Sequence, residues 1–213
     1  MTKQEIFKHI ITILRPETLR RQMEFDIVQA ERIIKEKVQE VGLTFVGIGM
    51  YAVVVEHPNY PERVFKVTTS RWDGYREYAK YCIANKGKKF LPVIHSANEK
   101  GNFGWYELDK YYPILDPNGG YEAFVSIYVE DMYAYAHAGQ YSDSVKDLEG
   151  RPEAIEIYKR AKEIADLYKN SFTLDIHTGN IMLSKDGEVI ITDPLAADVR
   201  REIPVSEADP EFD

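Results

Sequence analysis

Asp175 and Asn180 stand five residues apart in the run Leu174-Asp175-Ile176-His177-Thr178-Gly179-Asn180-Ile181-Met182-Leu183. A second run, Val189-Ile190-Ile191-Thr192, ends at Asp193-Pro194. A turn at Lys185-Asp186-Gly187 would fold the two back on each other as short strands, so that two acids and an asparagine share one compact loop. Oxygen donors at Asn180 and Asp193 suit Mg²⁺, which keeps several waters and takes one or two protein groups together with phosphate oxygens. Asp175 is then left for a hydroxyl.

Two further motifs lie upstream. Gly47-Ile48-Gly49 sits between two β-rich runs, where backbone amides could approach phosphate oxygens with no Cβ in the way. It is not a dinucleotide fingerprint, which needs a strand leading into a helix, because Tyr51 to Val55 continues as strand. Alone it reads as a tight hairpin. Lys66, in Val64-Phe65-Lys66-Val67, would share a strand face with Val64 while Phe65 and Val67 point the other way. By itself it reads as a solvated lysine; beneath a Gly-rich hairpin it could pair with a polyphosphate.

The elements that must position these residues are set by periodicity. Thr2 and Glu5 form a capping box before Ile6, Phe7, Ile10, Ile11 and Leu14, and Pro16 ends that helix. A second helix is predicted from Glu17 to about Val41 on the spacing of Met23, Ile27, Ala30, Ile34 and Val38, with Gly42 as its cap. Both read as packing layers. Strands are predicted over Leu43–Gly49, Tyr51–His57, Arg63–Thr69, Leu91–Ala97 and Phe103–Leu108, with one helix over Trp72–Asn85. Five antiparallel strands and a helix make a small lobe. Two prolines and Gly119-Gly120 suit a connector after Asp109, and Pro152–Tyr168 is the clear helix of the downstream lobe. The stretch from Gly120 to Ala138 is ambiguous and Gly139 to Gly150 reads as a polar loop. The fold class is therefore α+β: a helical extension over 1–42, a small lobe over 43–109, a reduced helical lobe over 110–197 and an acidic tail over 198–213.

Composition narrows the function. The 213 residues allow one domain or two small lobes. A net charge of −8 disfavours nonspecific nucleic-acid binding, which depends on clustered Lys and Arg. Cys82 is the single cysteine, so neither a disulfide framework nor zinc spacing exists within the sequence, and a reducing compartment suits it. No apolar run approaches the ~20 residues that span a bilayer, and Met1-Thr2-Lys3-Gln4-Glu5 lacks the features of a signal peptide. A soluble, non-exported protein without direct nucleic-acid or membrane partners is expected.

Taken in order, the Gly-rich hairpin, the strand lysine, Asp175 with Asn180, and Asp193 resemble the bilobal protein-kinase-like fold over about Leu43 to Leu195. More narrowly, His57-Pro58-x-x-Pro61-x-Arg63-Val64 and Asp175-x-His177-x-Gly179-Asn180-Ile181-Met182 with Ile191-Thr192-Asp193-Pro194 resemble the early serine/threonine protein kinases of podophages. The resemblance implies ATP and Mg²⁺ as cofactors, host proteins as substrates and the cytoplasm of the infected bacterium as location. It implies that Gly47, Gly49 and the backbone to Ala52 cover the phosphates and that Val54 and Met182 sandwich the adenine. Glu107 and Leu108 also fall among the nucleotide-binding positions. Lys66 would hold the α- and β-phosphates with Glu77 as its ion-pair partner, Asp175 would accept the substrate hydroxyl proton, and Asn180 and Asp193 would bind Mg²⁺.

Departures from the common kinase pattern carry expectations of their own. Ala52 replaces a usual glycine. Thr173-Leu174 stands where His-Arg usually precedes the catalytic Asp, which implies activity without activation-loop phosphorylation. His177, in place of a common Lys, would contact the γ-phosphate or brace the loop, and Asp193-Pro194-Leu195 replaces Asp-Phe-Gly. With twenty residues after Asp193, the peptide-docking segment and late helices of larger kinases are expected to be missing. Two other readings stay open. One is a small-molecule phosphotransferase of the aminoglycoside-kinase type, with Asp116, Glu122 or Glu130 near Asp175; the other is a binding protein with a silent kinase fold. Ser206 in the acidic tail is a candidate self-modification site.

Overall fold

The computed structural model describes residues 1–114, 126–139 and 152–196. Asp116, Glu122 and Ser206 lie outside them. The described chain forms two compact units. The first holds Met1–Ala79 and Val93–Lys110; the second holds Lys80–Pro92 and the described residues from Tyr111 on. No helix among the described residues is long and apolar enough to cross a membrane.

The first unit begins with α1 (Lys3–Leu14), where Thr2 Oγ1 accepts from the Glu5 amide and the Glu5 carboxylate accepts from the Thr2 amide. These bonds satisfy two donors that a helix start leaves over. The predicted second helix is two: α2 (Glu17–Phe25) and α3 (Ile27–Glu40). Asp26 breaks them apart, at φ −147° and ψ 70°, and its carboxylate caps α3 by accepting from the Gln29 amide. Apolar spacing runs through the break because Met23, Ala30 and Ile34 face the same core. At the end of α3, the Gly42 amide donates to Gln39 O and the Leu43 amide to Val38 O, with Gly42 at φ +76°. This is the glycine-capped helix end that leaves a chain ready to start a strand.

Strands β1 (Thr44–Ile48), β2 (Ala52–Glu56), β3 (Arg63–Thr68), β4 (Ile94–Lys100) and β5 (Phe103–Asp109) form an antiparallel sheet in the order β1-β2-β3-β5-β4. One face is dry. Val53, Val55, Phe65, Val67 and Phe103 pack there against Phe7, Ile10, Leu14, Met23, Ile34 and Val38 of the three helices. Thus α1–α3 supply half of this unit's core. The other face carries Val54, Lys66 and Tyr106 as direct cross-strand neighbours, as alternation along β3 requires. Helix α4 (Gly74–Ala84) brings buried Tyr75 and Tyr78 against Tyr106 on that side.

In the second unit, the described part of the ambiguous stretch, 126–138, is a π-helical turn at Ser126–Asp131 running into α5 (Met132–Ala138), which ends at Gly139 in the left-handed region. Helix α6 (Pro152–Tyr168) packs on α5, with the Tyr158 ring 5.9 Å from that of Tyr135, and buries Ile157, Ala161 and Ile164. Two small ladders come next. Strand β6 (Thr173–Leu174) pairs with β9 (Leu195–Ala196), and β7 (Ile181–Leu183) pairs with β8 (Val189–Ile191) around Gly187 at φ +84°.

Candidate active site

In the first unit the Gly-x-Gly hairpin closes tightly, with the Gly49 amide donating to Ala52 O at 2.8 Å around Met50 and Tyr51. A bulge at Val46 shifts the β1–β2 register just before Gly47. Neither glycine has a positive φ, and a Cβ built on either meets nothing within 4 Å. The described chain itself therefore gives no steric reason for glycine at 47 and 49.

Lys66 is buried, and its Nζ lies 3.4 Å from the centroid of the Tyr75 ring. Val54 sits directly across from it on β2, and Leu108 shares its face through Val64. Glu77 is half-buried in the first turn of α4. Glu107 is turned the other way: its buried carboxylate accepts from Lys3 Nζ of α1 at 2.7 Å and pairs with Arg63 at 3.5 Å. Its side chain belongs to the helix-covered face, whereas Lys66 and Leu108 belong to the opposite one.

In the second unit the two ladders frame one loop. The Asp175 amide donates to Pro194 O at 2.8 Å, and the Thr192 amide and hydroxyl both donate to Asn180 O at 2.8 and 2.9 Å. The segments bearing Asp175, Asn180 and Asp193 are thereby stitched together from both ends. Asn180 Nδ2 donates to the Asp175 carbonyl at 2.7 Å and to Asp175 Oδ2 at 3.2 Å. With its nitrogen committed there, the asparagine keeps its oxygen as the side chain's acceptor. Met182 is half-buried in β7, opposite Ile190.

His177 folds over the loop it belongs to. Its Nδ1 accepts from the Gly179 amide at 3.1 Å, so the ring hydrogen sits on Nε2, 3.7 Å from Asp175 Oδ1. That is beyond direct hydrogen-bond range. A Cβ at position 179 would stand 2.9 Å from His177 Cε1, which is why the motif has glycine there. The ring is half-exposed and can swing, so Gly179→Ala is expected to release it with a stability change under about 1 kcal/mol. Long-range ¹H–¹⁵N spectra check this: unchanged His177 ring-nitrogen shifts in the variant would reject it.

The donor set at Asn180 and Asp193 is all oxygen, which fits Mg²⁺ and not zinc. Among the described residues no three His, Cys, Asp or Glu side chains gather as a metal cluster. The sequence reading missed Thr192, which ties Asn180 to the Asp193 segment, and Tyr75 beneath Lys66. Thr192 could have been noticed as a hydroxyl at the end of an apolar strand. Nothing in one sequence separates a tyrosine that carries a lysine from one that fills a core.

The Gly-x-Gly hairpin, the strand lysine, the Asp-x₄-Asn loop and the strand-end Asp, in that order on an α+β chain, define the protein-kinase class. The chain belongs to the bacteriophage T7 protein kinase 0.7 family, whose model matches residues 18–211. No curated protein matches it. Among solved structures it is similar to the PknI kinase domain of Mycobacterium tuberculosis. A single mutant of that domain is 15% identical, over 71% of this chain and 59% of that one, with a TM-score of 0.35. A double mutant is 16% identical over 71% and 58%, with a TM-score of 0.35. The unsubstituted domain is 15% identical over 71% and 57%, with a TM-score of 0.34. The chain thus spans less than two thirds of the length of these kinase-domain chains.

Proposed function

We propose that this chain is an ATP- and Mg²⁺-dependent serine/threonine protein kinase that phosphorylates host proteins in the cytoplasm of an infected bacterium. The observation that carries the reading is the stitched loop. A half-exposed Asp175 is held by its own backbone and by Asn180, and the Asp193 segment is fastened to both. In this reading Asp175 orients a substrate hydroxyl and accepts its proton, while Asn180 and Asp193 are the residues that would hold Mg²⁺. The ion would neutralise charge on phosphate oxygens. His177, fixed on the Gly179 amide, presents Nε2–H beside Asp175 as a donor for a phosphoryl oxygen.

The first unit supplies the nucleotide contacts. Gly47 and Gly49, which the described chain does not itself require, leave the hairpin backbone open to close approach by phosphates. Lys66 would take the α- and β-phosphates, with Val54 and Leu108 as apolar neighbours of the base. The β6–β9 ladder supports phosphorylation-independent activity. Thr173-Leu174, where other kinases place His-Arg, pair with Leu195-Ala196 and so brace Asp175 from behind by backbone bonds alone.

The experiment is incubation of the full chain with labelled ATP in bacterial lysate, with Mg²⁺ or with excess chelator, separating protein-bound from small-molecule label. Mg²⁺-dependent label on serine and threonine of lysate proteins is expected. Label only in small molecules would favour the aminoglycoside-kinase type of reaction instead, and none in either pool would mean a silent fold.

A further inference from the structure

We propose that Tyr75 is a positioning residue for Lys66, its ring face holding the ammonium group in place on the face of the sheet opposite α1–α3. Burying a charge is costly unless a partner compensates. Lys66 is only 8% exposed, and its Nζ lies 3.4 Å from the Tyr75 ring centroid, well inside the ~6 Å reach of a cation–π contact. Tyr75 is itself 1% exposed, so the attraction acts away from water, where it is strongest.

The ring is not free to turn away. Tyr106 meets it edge-on at 5.0 Å and 82°, and Tyr78 at 6.4 Å and 66°. Tyr106 is also the cross-strand neighbour of Lys66, so one residue braces both the lysine's strand and the ring above it. Tyr106 has room because position 104 is glycine: a Cβ there would stand 2.5 Å from its hydroxyl oxygen. Next to Tyr75, Arg76 binds Glu99 at 2.8 Å and the Gly101 carbonyl at 3.1 Å, which pins the start of α4 to the β4–β5 hairpin. The start of α4 thereby fixes the ring against which the Lys66 ammonium lies.

For phosphoryl transfer this assignment rests on the kinase reading, in which Lys66 holds nucleotide phosphates; as a statement about Lys66 it stands on geometry. The test compares the full chain with Tyr75→Phe, which keeps the ring, and Tyr75→Leu, which keeps apolar bulk and removes it. With ¹³C-labelled lysine, the Lys66 ε-methylene protons are expected to be shifted upfield by the ring in wild type and Tyr75→Phe, and to return to the ordinary lysine position in Tyr75→Leu. KM for ATP should rise about tenfold in Tyr75→Leu and stay near wild type in Tyr75→Phe. An unshifted Lys66 signal in wild type would overturn the proposal, whatever the variants do. So would Tyr75→Phe behaving like Tyr75→Leu, or a Tyr75→Leu protein that keeps the upfield signal. If the signals behave as expected and wild type transfers no phosphate, Tyr75 still positions Lys66, and the kinase reading is what falls.

Discussion

Replacing Asp175 with alanine is expected to lower phosphoryl transfer by about a hundred- to ten-thousandfold, the usual worth of a positioned general base, while the protein stays folded. The fold should survive because Asp175 is half-exposed, so its removal leaves no buried cavity. Asn180 loses the carboxylate at 3.2 Å but keeps its shorter bond to the backbone carbonyl of the same residue at 2.7 Å. The Asp175 amide bond to Pro194 O is indifferent to the side chain. Steady-state kinetics beside a thermal melt would separate the two effects: kcat should fall with KM for ATP nearly unchanged. Wild-type turnover in the variant would remove Asp175 from the mechanism. Asp175→Asn should be as inactive, since the amide keeps the shape and loses the base.

The second large effect concerns stability. Phe65→Ala is expected to cost about 3–5 kcal/mol, the range for deleting a fully buried aromatic ring. Phe65 has no solvent exposure and meets Phe7 at 5.4 Å and 79° and Tyr60 at 5.6 Å and 74°, joining α1 to the sheet. At roughly 2–4 °C per kcal/mol for a chain of this size, the melting midpoint should drop by about 10 °C. Phe65→Leu, which refills much of the space, should cost less than half as much. A midpoint unchanged in Phe65→Ala would mean that the helices do not depend on this ring. Because Phe65 precedes Lys66 on the same strand, the variant should also lose nucleotide affinity as the sheet loosens.

Much of this was legible in advance where local chemistry decides structure. The Thr2–Glu5 capping box, the Gly42 helix end and the opposite faces of Phe65 and Lys66 depend on neighbours within a few residues, and the structure has them as expected. The break at Asp26 was hidden because the apolar spacing continues through it; the Asp as a helix cap was the one local sign. The loop carrying Asp175, Asn180 and Asp193 was readable as a unit, since β7 and β8 are joined by a short turn. The β6–β9 ladder was not. Two residues on each side have no period to recognise, and their pairing joins segments about twenty residues apart. The same limit hid Tyr75, whose role is defined by a lysine on another element.

The three N-terminal helices bear on how small this protein could become. Val53, Val55, Phe65 and Val67 are dry only because α1–α3 cover them, and Lys3 reaches across to close the buried Glu107. A version trimmed to begin at Leu43 would keep every motif residue, yet it would expose a continuous greasy sheet and leave Glu107 with Arg63 in place of its shorter bond to Lys3. Such a surface invites self-association before any chemistry can be measured. The lower size limit of an active form is therefore set by residues that never approach the reacting groups.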